Sequence, residues 1–237
     1  HTASRTSVIG GGAKAQPGEI SLAHHGTLFL DELLEYPRTL LEALRQPMED
    51  HTITITRAQG RYQYPAHFLL VGTMNPCPCG YYNHPERPCL CPPGAVQKYM
   101  NKISGPLLDR IDIQIEIVPV PFEKISIQTP SDPSAHVRER VIKARAIQEE
   151  RFKAHPGIYC NAQMETKQLH QYAIPDAAGM QLLKQAMTRL SLSARAYDRI
   201  LKVSRTIADL DGAEKIETPH LAEAIHYRNL DREGWGT

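Results

Sequence analysis

The stretch HHGTLFLDELLEYP, residues 24–37, holds a short apolar run, Leu28-Phe29-Leu30, that stops at two adjacent carboxylates, Asp31 and Glu32. A run of this length bounded by Gly26 and by charge reads as a buried strand that delivers two acids to the edge of a sheet. Two readings compete there. Asp31 can cap a following helix while Glu32 is solvated, or the pair can serve a magnesium-nucleotide hydrolase. In the second case the first carboxylate orients the hydrated ion and the second polarises the attacking water.

Outward from this point the chain alternates strand and helix signals. Residues 1–22, with GGGAKAQPGE, read as a flexible loop containing Gly and Pro. Leu40, Leu41 and Leu44 recur at helical spacing behind Pro37, which is placed to begin a helix. TITIT, Gly60 and RYQYPA predict a β-hairpin, and Phe68 to Val71 predicts a second buried strand. SGPLLDRIDIQIEIVPV predicts a turn, a short helix and an alternating strand ending at Pro119. The expected class is therefore α/β, a three-layer domain with parallel strands over residues 1–130.

Past a linker, QTPSDPS, strand signals vanish. Asp132 and Pro133 predict a helix start, with Val137, Val141, Ala144 and Ile147 as one apolar stripe. Two or three more helices are expected between Pro175 and Arg228, with Ser193 as an N-cap and Thr218-Pro219 opening the last. Residues 131–237 thus read as a small helical domain.

A chain of 237 residues, 41% hydrophobic and 22% charged, is long enough for two such cores, and its net charge of +1 leaves anion binding to local patches. No apolar run is long enough to span a bilayer, so a soluble, cytoplasmic protein without a membrane partner is expected. Four of the five cysteines crowd into CPCGYYNHPERPCLC, a pattern that points to metal before disulfides.

Asn75 follows the second strand at the edge that receives Asp31, where an amide can orient water. Arg110 precedes the third predicted strand, and Arg195 opens a helix in the second domain. Two arginines, an amide and two carboxylates make a phosphoryl-transfer set. With these residues in place, GGGAKAQPGEISLAHHGTLFLDEL, YPAHFLLVGTMNPCPCG, SGPLLDRIDI and LSARAYDRILKVSRTIADL together resemble the magnesium-chelatase-like AAA+ ATPases of the bacterial ComM/YifB group. The resemblance runs over essentially the whole chain. It implies an AAA+ core followed by a helical lid, with ATP and magnesium as cofactors. Asp31 and Glu32 would be the Walker B acids, Asn75 sensor 1, Arg110 the arginine finger and Arg195 sensor 2. It also implies hexameric rings in which Arg110 acts on a neighbouring subunit's nucleotide. One departure stands out: no G-x-x-x-x-G-K-[ST] phosphate loop occurs, so the expectation is an incomplete core, inactive as it stands, whose phosphate loop lies upstream of His1.

Residues 1–18 contain Arg5 and Lys14, and residues 51–66 contain Arg57 and Arg61. The resemblance makes both segments pore-facing loops of the ring. With Tyr62 and Tyr64 they fit single-stranded or branched DNA, while the plainer reading packs the tyrosines on their own sheet and leaves the arginines in water. A DNA motor acting in recombination or transformation is the leading expectation. A protein-remodelling ATPase of the chelatase-subunit type and a zinc-clamped, non-enzymatic interaction module are the rivals. Cys77, Cys79, Cys89 and Cys91 are expected to hold zinc, against a reduced loop or an air-formed disulfide, because four thiolates satisfy tetrahedral zinc although C-x-C spacing is tight and four prolines flank it. His24 and His25 read as loop histidines beside the nucleotide site rather than as metal ligands.

Overall fold

The computed structural model describes residues 2–117, 119–120 and 131–228, which fall into two compact units, the first ending at Ile111 and the second beginning at Asp112. The expected domain boundary at 130/131, Val118 of the third predicted strand and the start of the linker lie at or outside the described residues.

In the first unit, residues 2–22 are ordered, which corrects the flexible loop expected there. Helix α1 (Arg5–Ile9) is capped by the Ser4 hydroxyl, which accepts the Ser7 N–H, and strands β1 (Gly10–Gly11) and β2 (Gln16–Pro17) pair antiparallel before α2 (Glu19–Leu22). Val8, Ala15 and Ile20 anchor this segment in the core. Gly18 is needed for the fit, since a Cβ there would meet the Gly10 nitrogen at 2.3 Å.

Strand β3 (Thr27–Leu30) forms as expected. Its two apolar partners from the helical stretch downstream, α3 (Arg38–Ala43) and α4 (Arg45–Asp50), bury Leu40, Leu41 and Pro47, with Leu44 buried between them. Strands β4 (Thr52–Arg57) and β5 (Gly60–Pro65) form the predicted hairpin. Strand β6 (Leu69–Gly72) returns parallel to β3, pairing Leu30 with Gly72. The β3–β6 pair is buried on one side only: Leu28 and Leu30 point into the core while Phe29, Leu69 and Val71 remain exposed. The strand at Phe68–Val71 is therefore not a buried one, and the described residues of this unit form mixed α/β structure.

Helices α5 (Ala95–Met100) and α6 (Gly105–Leu108) complete the unit, the latter capped by Ser104. The third predicted strand is absent among the described residues. Ile113, Ile115 and Ile117 are exposed, and the Gln114 N–H donates to the Tyr227 carbonyl at 2.9 Å. An alternating run becomes a strand only when a neighbouring strand takes its backbone groups, and none does among the described residues.

The second unit is helical: α7 (Ser134–Phe152), α8 (Thr166–Tyr172), α9 (Ala177–Arg189), α10 (Ala194–Leu210) and α11 (Thr218–His226). Ser193 caps α10 as expected, accepting the Ala196 N–H at 3.1 Å. The stripe read on α7 is only partly used, since Ala144, Gln148 and Phe152 are buried while Val137, Val141 and Ile147 are exposed. The core lies instead between α10, α8, α9 and α11, around Ile200, Leu201, Leu183, Leu169 and Leu221. A buried ionic cluster fastens α7 to α10. Asp209 accepts from both Nη atoms of Arg151, from the Arg205 Nε at 3.1 Å and from the Asn161 Nδ2 at 2.7 Å.

Candidate active site

The parallel register that pairs Leu30 with Gly72 puts Asp31 and Thr73 side by side at the carboxyl edge of the sheet. The Thr73 N–H donates to the Leu30 carbonyl at 3.1 Å, and the Leu33 N–H to the Thr73 carbonyl at 2.7 Å, so the ladder continues one step past the strands. Within this frame the Thr73 hydroxyl donates to Asp31 Oδ1. The Glu32 N–H lies 3.2 Å from both Asp31 Oδ1 and Thr73 Oγ1. Glu32 itself is left-handed, with φ 52° and ψ 51°. A non-glycine residue there stores about 1–3 kcal/mol of strain, which neighbours must over-determine. Both acids are exposed, and so is Asn75, two residues beyond Thr73.

Asp31, Glu32 and Asn75 are thus brought to one edge, and Thr73 is a fourth member that sequence reading missed. The only signal for it is its position one residue past a strand whose register was unknown. Tyr99 was missed as well. Burial, then a hydrogen bond with Glu35 and the charges of Glu35, Glu32 and Cys77, push its hydroxyl up to about 12. It stays a protonated donor between the acidic edge and the cysteine loop.

Arg110 belongs to the same unit but is held inside it. Its side chain is 7% exposed, donates Nη1 to the Pro106 carbonyl at 2.6 Å and pairs through Nη2 with Glu49. Its buried Nε has no hydrogen-bond partner among the described residues. Arg195, second residue of α10, is exposed in the helical unit.

The two basic segments meet. The Tyr64 hydroxyl donates to the Ala15 carbonyl at 2.7 Å, and the Arg57 Nε to the Gly12 carbonyl at 3.1 Å. Tyr64 is therefore a packing residue, as the plainer reading had it, and Arg57 spends part of its guanidinium on the neighbouring hairpin. Arg5, Lys14, Arg61 and Tyr62 stay exposed.

His24 and His25 are displaced from the place expected for them. They precede the amino end of β3, about 13 Å of strand from Asp31 at ~3.3 Å per residue. There the His67 N–H donates to His24 Nδ1 at 3.1 Å, and the His24 and His25 ring centres lie 3.9 Å apart. Burial, then the charges of His25 and His67, lower the His24 pKa.

Cys77, Cys79, Cys89 and Cys91 converge, with one sulfur of each within 4.8 Å of the others, and none is in a disulfide. The backbone N–H of Tyr81 leads in holding the Cys79 thiol down to about 6. The Cys79 N–H pulls Cys91 down too, but burial and the neighbouring thiols outweigh it and push that thiol up to about 12.

Comparison with known proteins shows the family. Residues 1–125 match the family model for magnesium chelatase, subunit ChlI, and residues 131–228 match the model for the C-terminal part of the same subunit. The competence protein ComM of Haemophilus influenzae is 46% identical over 235 residues, covering 98% of this chain and 44% of that protein. The uncharacterized protein YifB of Escherichia coli is 44% identical over 236 residues, 98% of this chain and 45% of its own length. An uncharacterized protein of Mycobacterium bovis is 38% identical over 229 residues, 96% of this chain and 45% of its own length. The chain therefore spans just under half the length of these relatives.

Proposed function

The chain belongs to the family of magnesium chelatase subunit ChlI, in its ComM/YifB group, and from that premise we propose that it is part of a hexameric AAA+ ATPase motor acting on single-stranded or branched DNA. The observation that carries the reading is the edge built by Asp31, Glu32 and Thr73. An exposed acid pair, one member fixed by a hydroxyl and a backbone N–H, the other held in a strained conformation, is an arrangement for chemistry rather than for stability.

In this reading Asp31 holds hydrated magnesium, Glu32 takes the proton of the attacking water, and Asn75 orients that water. The metal, when bound, neutralises charge on the β and γ phosphates of ATP. Arg195 takes the sensor 2 role that the resemblance implies, and Arg110 serves a neighbouring subunit's nucleotide after exchanging Glu49 for phosphate. The partnerless Nε supports this exchange, because a buried arginine with an unmet donor is held less firmly than a saturated one. Core and lid divide at 130/131. The open side of the β3–β6 pair supports residues 2–111 as part of a larger sheet. Since the 237 residues contain no phosphate loop, this piece by itself does not turn over ATP. Arg5, Lys14, Arg61 and the remaining face of Arg57 meet DNA phosphates, with Tyr62 available for stacking. The name of the Haemophilus relative, a competence protein, favours a role in competence.

The test uses the complete protein. Glu32→Gln and Arg110→Ala should each lower ATP turnover by about 10³-fold. Mixing the two variants should restore part of it, since some interfaces then carry both an intact acid and an intact arginine. No rescue at any ratio removes Arg110 from the role. Lys14→Ala/Arg61→Ala should flatten the salt dependence of DNA binding; an unchanged slope moves the reading to the protein-remodelling alternative.

A further inference from the structure

The sequence pattern leaves three fates open for the cysteine loop: a zinc site, a reduced loop and a disulfide. Cys77, Cys79 and Cys89 lie 3.3, 3.6 and 3.7 Å apart, and the Cys91 sulfur falls within 4.8 Å of all three. Zinc bonded to four thiolates at about 2.3 Å requires sulfur–sulfur separations of roughly 3.8 Å, the edge of the tetrahedron. A disulfide would need about 2.05 Å. We propose that Cys77, Cys79, Cys89 and Cys91 form a closed, structural zinc site that fastens the loop after Asn75 to the core of the first unit.

The local sequence explains how such tight spacing is met. Cys77-Pro78-Cys79-Gly80 is a four-residue turn closed by the Gly80 N–H donating to the Cys77 carbonyl at 3.0 Å. Proline at the second position is fixed in φ, and Gly80, at φ 80°, takes a conformation that favours glycine. The turn turns both thiols of C-x-C to one side, so proline assists the convergence. Cys77 is fully buried in the core, while Cys79, Cys89 and Cys91 pack against it from the loop. Residues 80–94 form neither helix nor strand, and Leu90, between the last two ligands, is 82% exposed. A segment with so little buried apolar surface needs another source of order, and four thiolates on one ion supply it. Tetrahedral sulfur also suits iron, but zinc stands above ferrous iron in affinity for such a site.

The site borders the proposed catalytic edge, since Cys77 is two residues from Asn75. Zinc content is read without ATP or DNA, so this inference stands or falls apart from the proposed motor function.

The complete protein, purified without chelator, should carry about one more zinc per chain than Cys89→Ser/Cys91→Ser, by elemental analysis, whereas Cys160→Ser should lose none. Cobalt-substituted protein should show the intense visible bands of a tetrahedral thiolate ion, and these should vanish in the double variant. If that variant does not fold, a mercurial titration of the unaltered protein replaces it: zinc should be released in step with modification of the four thiols. Equal zinc in unaltered and double-variant protein, a folded metal-free protein with four freely titrating thiols, or iron in place of zinc would overturn the proposal.

Discussion

Two groups of charges, one in each unit, are made from similar residues and end in opposite states. In the helical unit Asp209 is wholly buried and receives Arg151, Arg205 and Asn161, while Arg205 spends its remaining donors on the Ala213 and Glu214 carbonyls at 2.6 and 2.9 Å. Burial lowers the pKa of Arg205 even against the pull of Asp209. At the sheet edge, Asp31 and Glu32 stand exposed, and Asp31 Oδ1 receives the Thr73 hydroxyl and the Glu32 N–H. Saturation separates structural charge from working charge. A buried carboxylate with several donors has nothing left for a ligand, whereas an exposed one held at a single oxygen does.

The contrast breaks if its extremes behave alike. Asp209→Ala should strip two buried guanidiniums of their partner and cost about 3–5 kcal/mol of stability, read as a lowered midpoint in urea for the helical unit. A loss under about 1 kcal/mol would mean that water replaces the carboxylate and that the cluster is not structural. A smaller effect is expected at Thr73→Val, which keeps shape and removes the hydroxyl from Asp31. A hydrogen bond to a charged group contributes about 1.5–3 kcal/mol, so turnover by the complete protein should fall about ten-fold or more while unfolding changes little. Equal losses of stability and turnover would make Thr73 a packing residue. The smallest effect belongs to His24, whose neighbours are His25 and His67, with His51 4.5 Å from the His67 ring. Its folded pKa is depressed below 6.5, so its contribution is present above that value and is lost as pH falls through the lower folded value. His24→Asn, which keeps an acceptor for the His67 N–H, should flatten that acid-side loss, measured as the midpoint between about pH 7 and pH 5.

Much of this was legible in advance. Apolar periodicity located β3, the β4–β5 hairpin and α10, and the Ser193 cap followed from residue type alone. What failed shares a cause: partners distant in sequence. The alternation of Ile113, Ile115 and Ile117 is strand-like, yet no neighbouring strand accepts it among the described residues. Val137 and Val141 have helical spacing on a face the unit does not cover. Thr73 was invisible because its role depends on register, which a parallel pair fixes only in three dimensions. The histidines were misplaced because adjacency in sequence to Asp31 was read as adjacency in space, while a strand carries its two ends apart.

The stitching of the β1–β2 turn to the β4–β5 hairpin has a mechanical consequence. Tyr64 to Ala15 and Arg57 to Gly12 couple the two prongs, so they move as one stiff arm. Its root is clamped by the Ala66 N–H donating to the His51 carbonyl at 2.7 Å, and only Ala66, His67 and Phe68 separate β5 from β6. Strand β6 ends at Gly72, beside Thr73. An arm about 20 Å long, six residues at ~3.3 Å each, is thereby joined to the strand whose carboxyl end lies beside Asp31. A small tilt of that strand is magnified at the far tip, where Arg61 sits, as a short crank swings a long handle.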